Sequence, residues 1–169
     1  MKKNDSIRRT FLRNTLTGSG AIAGVAALGV PSSALAKGKG RATKKAISRD
    51  GKPVSPEAIF SPAIQLGQLL FVSGQGAHDP TTHKVEAGPI SSQVRQCLEN
   101  VKAVLEAAGS SMDRALKCTV FLKEIGDYQE MNKVYHSFFT KDPPARSTVA
   151  VKDLPGDSPV EIECIAYVD

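Results

Sequence analysis

The chain has 169 residues, 41% hydrophobic and 23% charged, enough for one domain with a real core and not for two. Its formal charge of +5 does not belong to the part that can fold, because residues 54–169 carry 10 basic and 15 acidic side chains. That balance removes the basic face that a nucleic-acid-binding domain needs, and three cysteines at wide spacing exclude a disulfide framework or a cysteine metal site.

In chain order, "SIRRTFLR" (6–13) is a charged start with paired Arg8 and Arg9. The glycine-softened apolar run "TLTGSGAIAGVAALGV" follows, and then Ala34-Leu35-Ala36, the small-x-small form that a signal peptidase cuts. Residues 1–36 resemble a twin-arginine (Tat) export signal. The apolar run is interrupted by Gly18, Gly20 and Gly24 and is shorter than the roughly 20 residues that span a bilayer. The expectation is therefore an exported, periplasmic protein with no membrane attachment after cleavage. Residues 37–54, including "KGKGRATKK", are expected to form a basic flexible arm, and residues 55–169 the folded domain.

"AIQLGQLLFVSGQG" (63–76) holds two short apolar runs around Gly67-Gln68 and predicts a β-hairpin. "SSQVRQCLENVKAVLEAAG" (91–109) has helical periodicity, with Val94, Leu98, Val101, Leu105 and Ala108 on one stripe and Gly109 at the end. "ALKCTVFLKEI" (115–125) alternates as a strand with Leu116, Cys118, Val120 and Leu122 on one face. "DYQEMNKVYHSFF" (127–139) predicts a second helix, opened by Asp127 and Glu130 at capping-box spacing and striped by Met131, Tyr135 and Phe138. Pro143 and Pro144 forbid its continuation. "RSTVAV" (146–151) and "VEIECIAYV" (160–168) close the chain as strands around a turn-rich loop, a presumed hairpin that permits Arg146 and Glu161 to lie near each other.

The predicted order is β-β-α-β-α-β-β, an α+β, two-layer fold with both helices on one face of a mixed sheet. Phe121, Ile165 and Tyr167 point away from the Cys118 and Cys164 side. An apolar sheet face left open is a liability, so a homo-oligomer that buries it is expected. The three cysteines occupy apolar positions and read as buried thiols.

Few residues offer chemistry. His78 and His83 flank a turn without partners for a metal site, and "SGQG" (73–76) lacks the lysine and length of a phosphate loop. Arg146 differs, because two prolines stiffen its approach and a strand fixes its position. A planar guanidinium there can grip a carboxylate through two parallel hydrogen bonds. It could equally cap the carbonyls of the preceding helix, and local pattern does not separate the two. Glu161 and Glu163 lie on one side of an otherwise apolar strand, and a carboxylate near a substrate-holding arginine can orient a water or relay protons.

At these residues the chain resembles the RidA (YjgF-type) family of enamine/imine deaminases. The resemblance covers roughly 55–169 and rests on "FVSGQ" (71–75), "QVRQCLENVKAVLEAAG" (93–109), "CTVFLKEIGDYQEMNKVYHSFF" (118–139), "PPARST" (143–148) and "VEIECIAYV" (160–168). It implies a chorismate-mutase-like fold and a homotrimer around a central barrel of sheets, with ligand clefts between subunits. Arg146 matches the family's carboxylate-binding arginine and Glu161 its water-positioning carboxylate, while Ser73 and Asn132 match polar positions of the cleft. The implied reaction is hydrolysis of 2-imino or 2-enamino acids to 2-keto acids and ammonia, with no metal or organic cofactor, since the imine is already electrophilic. Two positions depart from the pattern: Phe60 stands where many deaminases carry a tyrosine, and Thr148 where a cysteine is common. A non-catalytic binder of small carboxylates, or an endoribonuclease as ascribed to some members, are the alternatives.

Overall fold

The computed structural model describes residues 42–169. The predicted export signal lies outside the described residues. Six strands form one sheet: β1 (Lys44–Ile47), β2 (Ala63–Leu66), β3 (Leu69–Gly76), β4 (Ala115–Leu122), β5 (Ala145–Ala150) and β6 (Val160–Tyr167), with helices α1 (Ile90–Ala107) and α2 (Tyr128–Phe138). The spatial order is β1-β2-β3-β6-β4-β5. Among the described residues only β4 and β5 pair in parallel, and α2 supplies the crossover that a parallel pair requires.

The expected order therefore holds, with one strand added at the front. Lys44–Ile47 lies within the stretch read as a basic flexible arm, yet it pairs antiparallel with β2 and buries Ile47. The arm reading is corrected here. Two exposed lysines are common on an edge strand, where charge blunts unpaired backbone groups, and three of its four residues are solvent-facing.

The β2–β3 turn forms at Gly67-Gln68, with Gly67 at φ +61°, a conformation that glycine adopts without a Cβ penalty. Helix α1 buries Val94, Cys97, Leu98, Val101, Val104 and Leu105 against the sheet. It ends in a Schellman motif: Ser110 N–H donates to Leu105 O (2.8 Å), Gly109 N–H donates to Glu106 O (3.0 Å), and Gly109 sits at φ +78°. Helix α2 has no capping box. Asp127 is already helical and its side chain caps nothing, because a 3-10 turn at Ile125–Asp127 leads straight into the helix. Glu130 pairs with Lys133 instead.

Between helices and sheet lies one core, which includes Leu70, Val72, Val120, Leu122, Ile162 and Met131. Each such side chain taken fully out of water contributes about 1.5–3 kcal/mol. All three cysteines are free and buried, and Cys118 and Cys164 are cross-strand partners. One facing assignment changes. A bulge between Ala115 and Lys117 buries Ala115 and leaves Leu116 46% exposed, so the inward series is Ala115, Cys118, Val120 and Leu122. The second sheet face carries Leu66, Leu69, Phe71, Val149 and Tyr167, all exposed in the single chain.

Candidate functional site

Pro143 and Pro144 deliver the chain into β5, where Arg146 pairs with Cys118 of β4 and so projects toward the helix layer. There it meets one face of α2, built at helical spacing from Tyr128, Met131, Asn132 and Tyr135. Its Nη2 donates to Asn132 Oδ1 at 2.6 Å and approaches the Tyr128 hydroxyl at 3.5 Å. Its guanidinium carbon lies 4.5 Å from the centroid of the Tyr135 ring, within cation–π range. The capping alternative is not what this arginine does, since its partners are side chains of α2 and not the helix's last carbonyls. Asn132, Tyr135, His136, Phe139, Pro143 and Arg146 line a cavity of about 430 Å³. A fixed guanidinium beside an apolar wall can bind a carboxylate and seat its substituent.

Two hydroxyls beside this cation are buried without a hydrogen-bond partner among the described residues, Tyr135 Oη and Thr148 Oγ1. Burial, and then the neighbouring Cys118, push the Tyr135 hydroxyl above its ordinary range, so it stays neutral. The Tyr128 hydroxyl is pulled down by its hydrogen bond with Asn132 and then by Arg146.

Glu161 lies elsewhere. On β6 it pairs with Phe121 of β4 and Gly76 of β3, on the sheet face opposite to the helices. Its carboxylate packs onto Gly74, where a Cβ would come within 2.1 Å of Oε1. A side chain at this position would push the carboxylate aside. Burial first, and Glu163 second, raise the Glu161 carboxyl above the usual range, while His78 opposes them. Ser73 lies alongside on β3, but its hydroxyl donates to Ser61 O at 2.6 Å. Phe60, next to Ser61, is 68% exposed.

The six residues singled out from sequence thus fall into two groups. Arg146, Asn132 and Thr148 share the helix side of edge strand β5, while Glu161 and Ser73 lie on β6 and β3 on the outer side, with Phe60 in the loop next to Ser61, whose carbonyl accepts from Ser73. The closing strands do not form the hairpin presumed from their sequence, because β4 lies between them. One chain alone does not bring Arg146 and Glu161 together. Sequence reasoning missed Tyr135 and Tyr128 as partners of Arg146, since a tyrosine in an apolar helical stripe reads as core. It also missed Gly74, whose missing Cβ leaves room for the Glu161 side chain from the neighbouring strand.

A family model described as Endoribonuclease L-PSP matches residues 51–168. The chain belongs to this family, the RidA (YjgF-type) family. Among similar proteins, a RutC family protein of Pyrococcus horikoshii is 47% identical over 116 residues, covering 69% of this chain and 90% of the relative. A 2-iminobutanoate/2-iminopropanoate deaminase of Dermatophagoides farinae is 37% identical over 119 residues, covering 69% and 93%. The crystal structure of E. coli TdcF with bound serine superposes with a TM-score of 0.67 at 37% identity, covering 74% of this chain and 99% of that one. The six-stranded sheet and two helices are thus the RidA fold.

Proposed function

We propose that this RidA-family chain hydrolyses 2-imino and 2-enamino acids, of the 2-aminoacrylate and 2-iminopropionate type, to 2-keto acids and ammonia. The observation that carries this reading is the guanidinium of Arg146, clamped by Asn132 and Tyr135 at the mouth of a cavity. In this reading Arg146 grips the substrate carboxylate through two parallel hydrogen bonds. Glu161 takes a proton from a water that adds to C2 of the imine and returns it to nitrogen. The tetrahedral carbinolamine then expels ammonia and leaves the 2-keto acid. A carboxyl raised by burial suits a group that must both accept and release a proton. The rate gain comes from positioning and preset charge, with no cofactor called for.

The two groups of residues lie on opposite faces of one sheet, so the reading includes a homotrimer in which one copy contributes Arg146, Asn132 and Thr148 and another contributes Glu161, Ser73 and Phe60. The exposed apolar outer face favours such an assembly, since open patches of this kind mark interfaces. Export through a twin-arginine signal, to the periplasm, belongs to the same proposal. Support also comes from the relative named as an imine deaminase and the neighbour with bound serine, itself an amino acid.

A non-catalytic binder of small carboxylates is the second reading, favoured by Phe60, which offers the outer group no hydroxyl. An endoribonuclease fits less well with 15 acidic against 10 basic residues over 54–169. The test is the decay of freshly generated 2-iminopropionate with ammonia release. The protein is expected to accelerate it, and Arg146→Ala to reduce kcat/KM by roughly ten- to a hundredfold, the worth of charge-assisted hydrogen bonds. Saturable binding of pyruvate without turnover would favour the binder.

A further inference from the structure

Arg49 belongs to the stretch read from sequence as a basic arm, yet its side chain reaches β3. The residue is half-buried and has no carboxylate partner among the described residues. Burial pulls its pKa below the ordinary arginine value, as expected for a cation taken from water without an ion pair. Its side-chain partner is the buried Gln75: Arg49 Nη2 donates to Gln75 Oε1 at 2.5 Å.

Gln75 closes a bulge. Between the pairs Val72–Cys164 and Gln75–Ile162, β3 advances three residues while β6 advances two, and neither Ser73 nor Gly74 has a partner on β6. The Gln75 side chain serves the carbonyls of both: Nε2 donates to Ser73 O at 2.9 Å and to Gly74 O at 3.3 Å. A glutamine amide can sit either way round. Turned over, its oxygen would face two carbonyls and its NH2 a guanidinium that only donates. Arg49 excludes that orientation. Gly74 in turn carries Glu161, whose Cδ would lie 2.5 Å from a Cβ there. Arg49, Gln75, Gly74 and Glu161 thus form one unbroken series of contacts.

We infer that Arg49 is a positioning residue for Glu161: by fixing the Gln75 amide, it holds the bulge on which the carboxylate rests. The inference rests on the proposed role of Glu161 in imine hydrolysis and adds the group that keeps its seat in place. Arg49 acts through hydrogen bonds at the β3 bulge, and Arg146 makes its own contacts on α2. Capture of the substrate carboxylate is therefore independent of Arg49, and the proton-transfer step is not.

The test is solvent exchange of the Gln75 side-chain NH2, followed by NMR in the full chain, in the wild type, Arg49→Met and Arg49→Lys. Arg49→Met keeps the apolar stem and removes the donors, and Arg49→Lys restores one. Exchange is expected to quicken about tenfold in Arg49→Met, the worth of a hydrogen bond to a charged group, and to return toward wild type in Arg49→Lys. In imine turnover Arg49→Met should lower kcat about tenfold with little change in KM, as a displaced reacting group implies, and Arg49→Lys should recover most of it. Arg49→Gln, too short to reach the amide, serves should Arg49→Met fail to fold. Unchanged exchange overturns the inference whatever the activity. Faster exchange with unaltered kcat in an active protein overturns the positioning role. Faster exchange in a protein whose wild type turns over no imine upholds the hold on the bulge and overturns the deaminase reading.

Discussion

Arg146 carries a long side chain that, free in solvent, samples many rotamers and loses that freedom when it binds. Here Asn132 holds one nitrogen and Tyr135 one face of the guanidinium, so part of that cost is met on folding. Asn132→Ala is expected to leave the fold intact and to raise KM for imine substrate by roughly tenfold, with kcat less affected, as loss of a neutral partner to a charged group implies. Steady-state kinetics checks this. Glu161 gives a pH-dependent prediction. Its carboxyl is raised in the folded chain, so the native state disfavours its ionised form, and it costs stability once pH rises past the ordinary glutamate range, about 4.3. Glu161→Gln should therefore raise Tm at neutral pH, while the gain fades as pH falls below that range. Calorimetry at several pH values decides, and a gain independent of pH would contradict the assignment. Arg146 was legible in the sequence because two prolines and a strand start frame it. Tyr135 was not, since its ring serves the core and the cation together, and periodicity reports only the first.

At the scale of elements, α1 was the most readable because its stripe repeats over about four turns and Gly109 marks its end. Leu98, fully buried at the centre of that stripe, should cost about 2–5 kcal/mol when replaced by alanine, measured by denaturant unfolding. The misreadings have local causes. A four-residue edge strand with two lysines has no alternation long enough to detect. The bulge at Ala115–Lys117 shifts the facing of one residue without disturbing the composition around it. The spacing of Asp127 and Glu130 satisfies a capping box, but the preceding 3-10 turn removes the extended conformation an N-cap needs. The hairpin presumed for the last two strands failed because sequence proximity is only a tendency in strand pairing, and the insertion of β6 between β3 and β4 is a long-range choice. That choice sets where Arg146 and Glu161 lie.

For the whole molecule, the separation of those two residues onto opposite faces of one sheet turns the deaminase reading into a statement about assembly. If each site takes its arginine from one copy and its carboxylate from the next, two defective chains can repair each other. Arg146→Ala and Glu161→Gln, each strongly impaired alone, would be denatured together in equal amounts and refolded, and turnover of 2-iminopropionate measured. Random assembly into a closed ring predicts recovery of roughly a quarter of wild-type activity, because one site in four then pairs an intact arginine with an intact glutamate. Mixed assemblies that form and show no recovery would contradict the shared site.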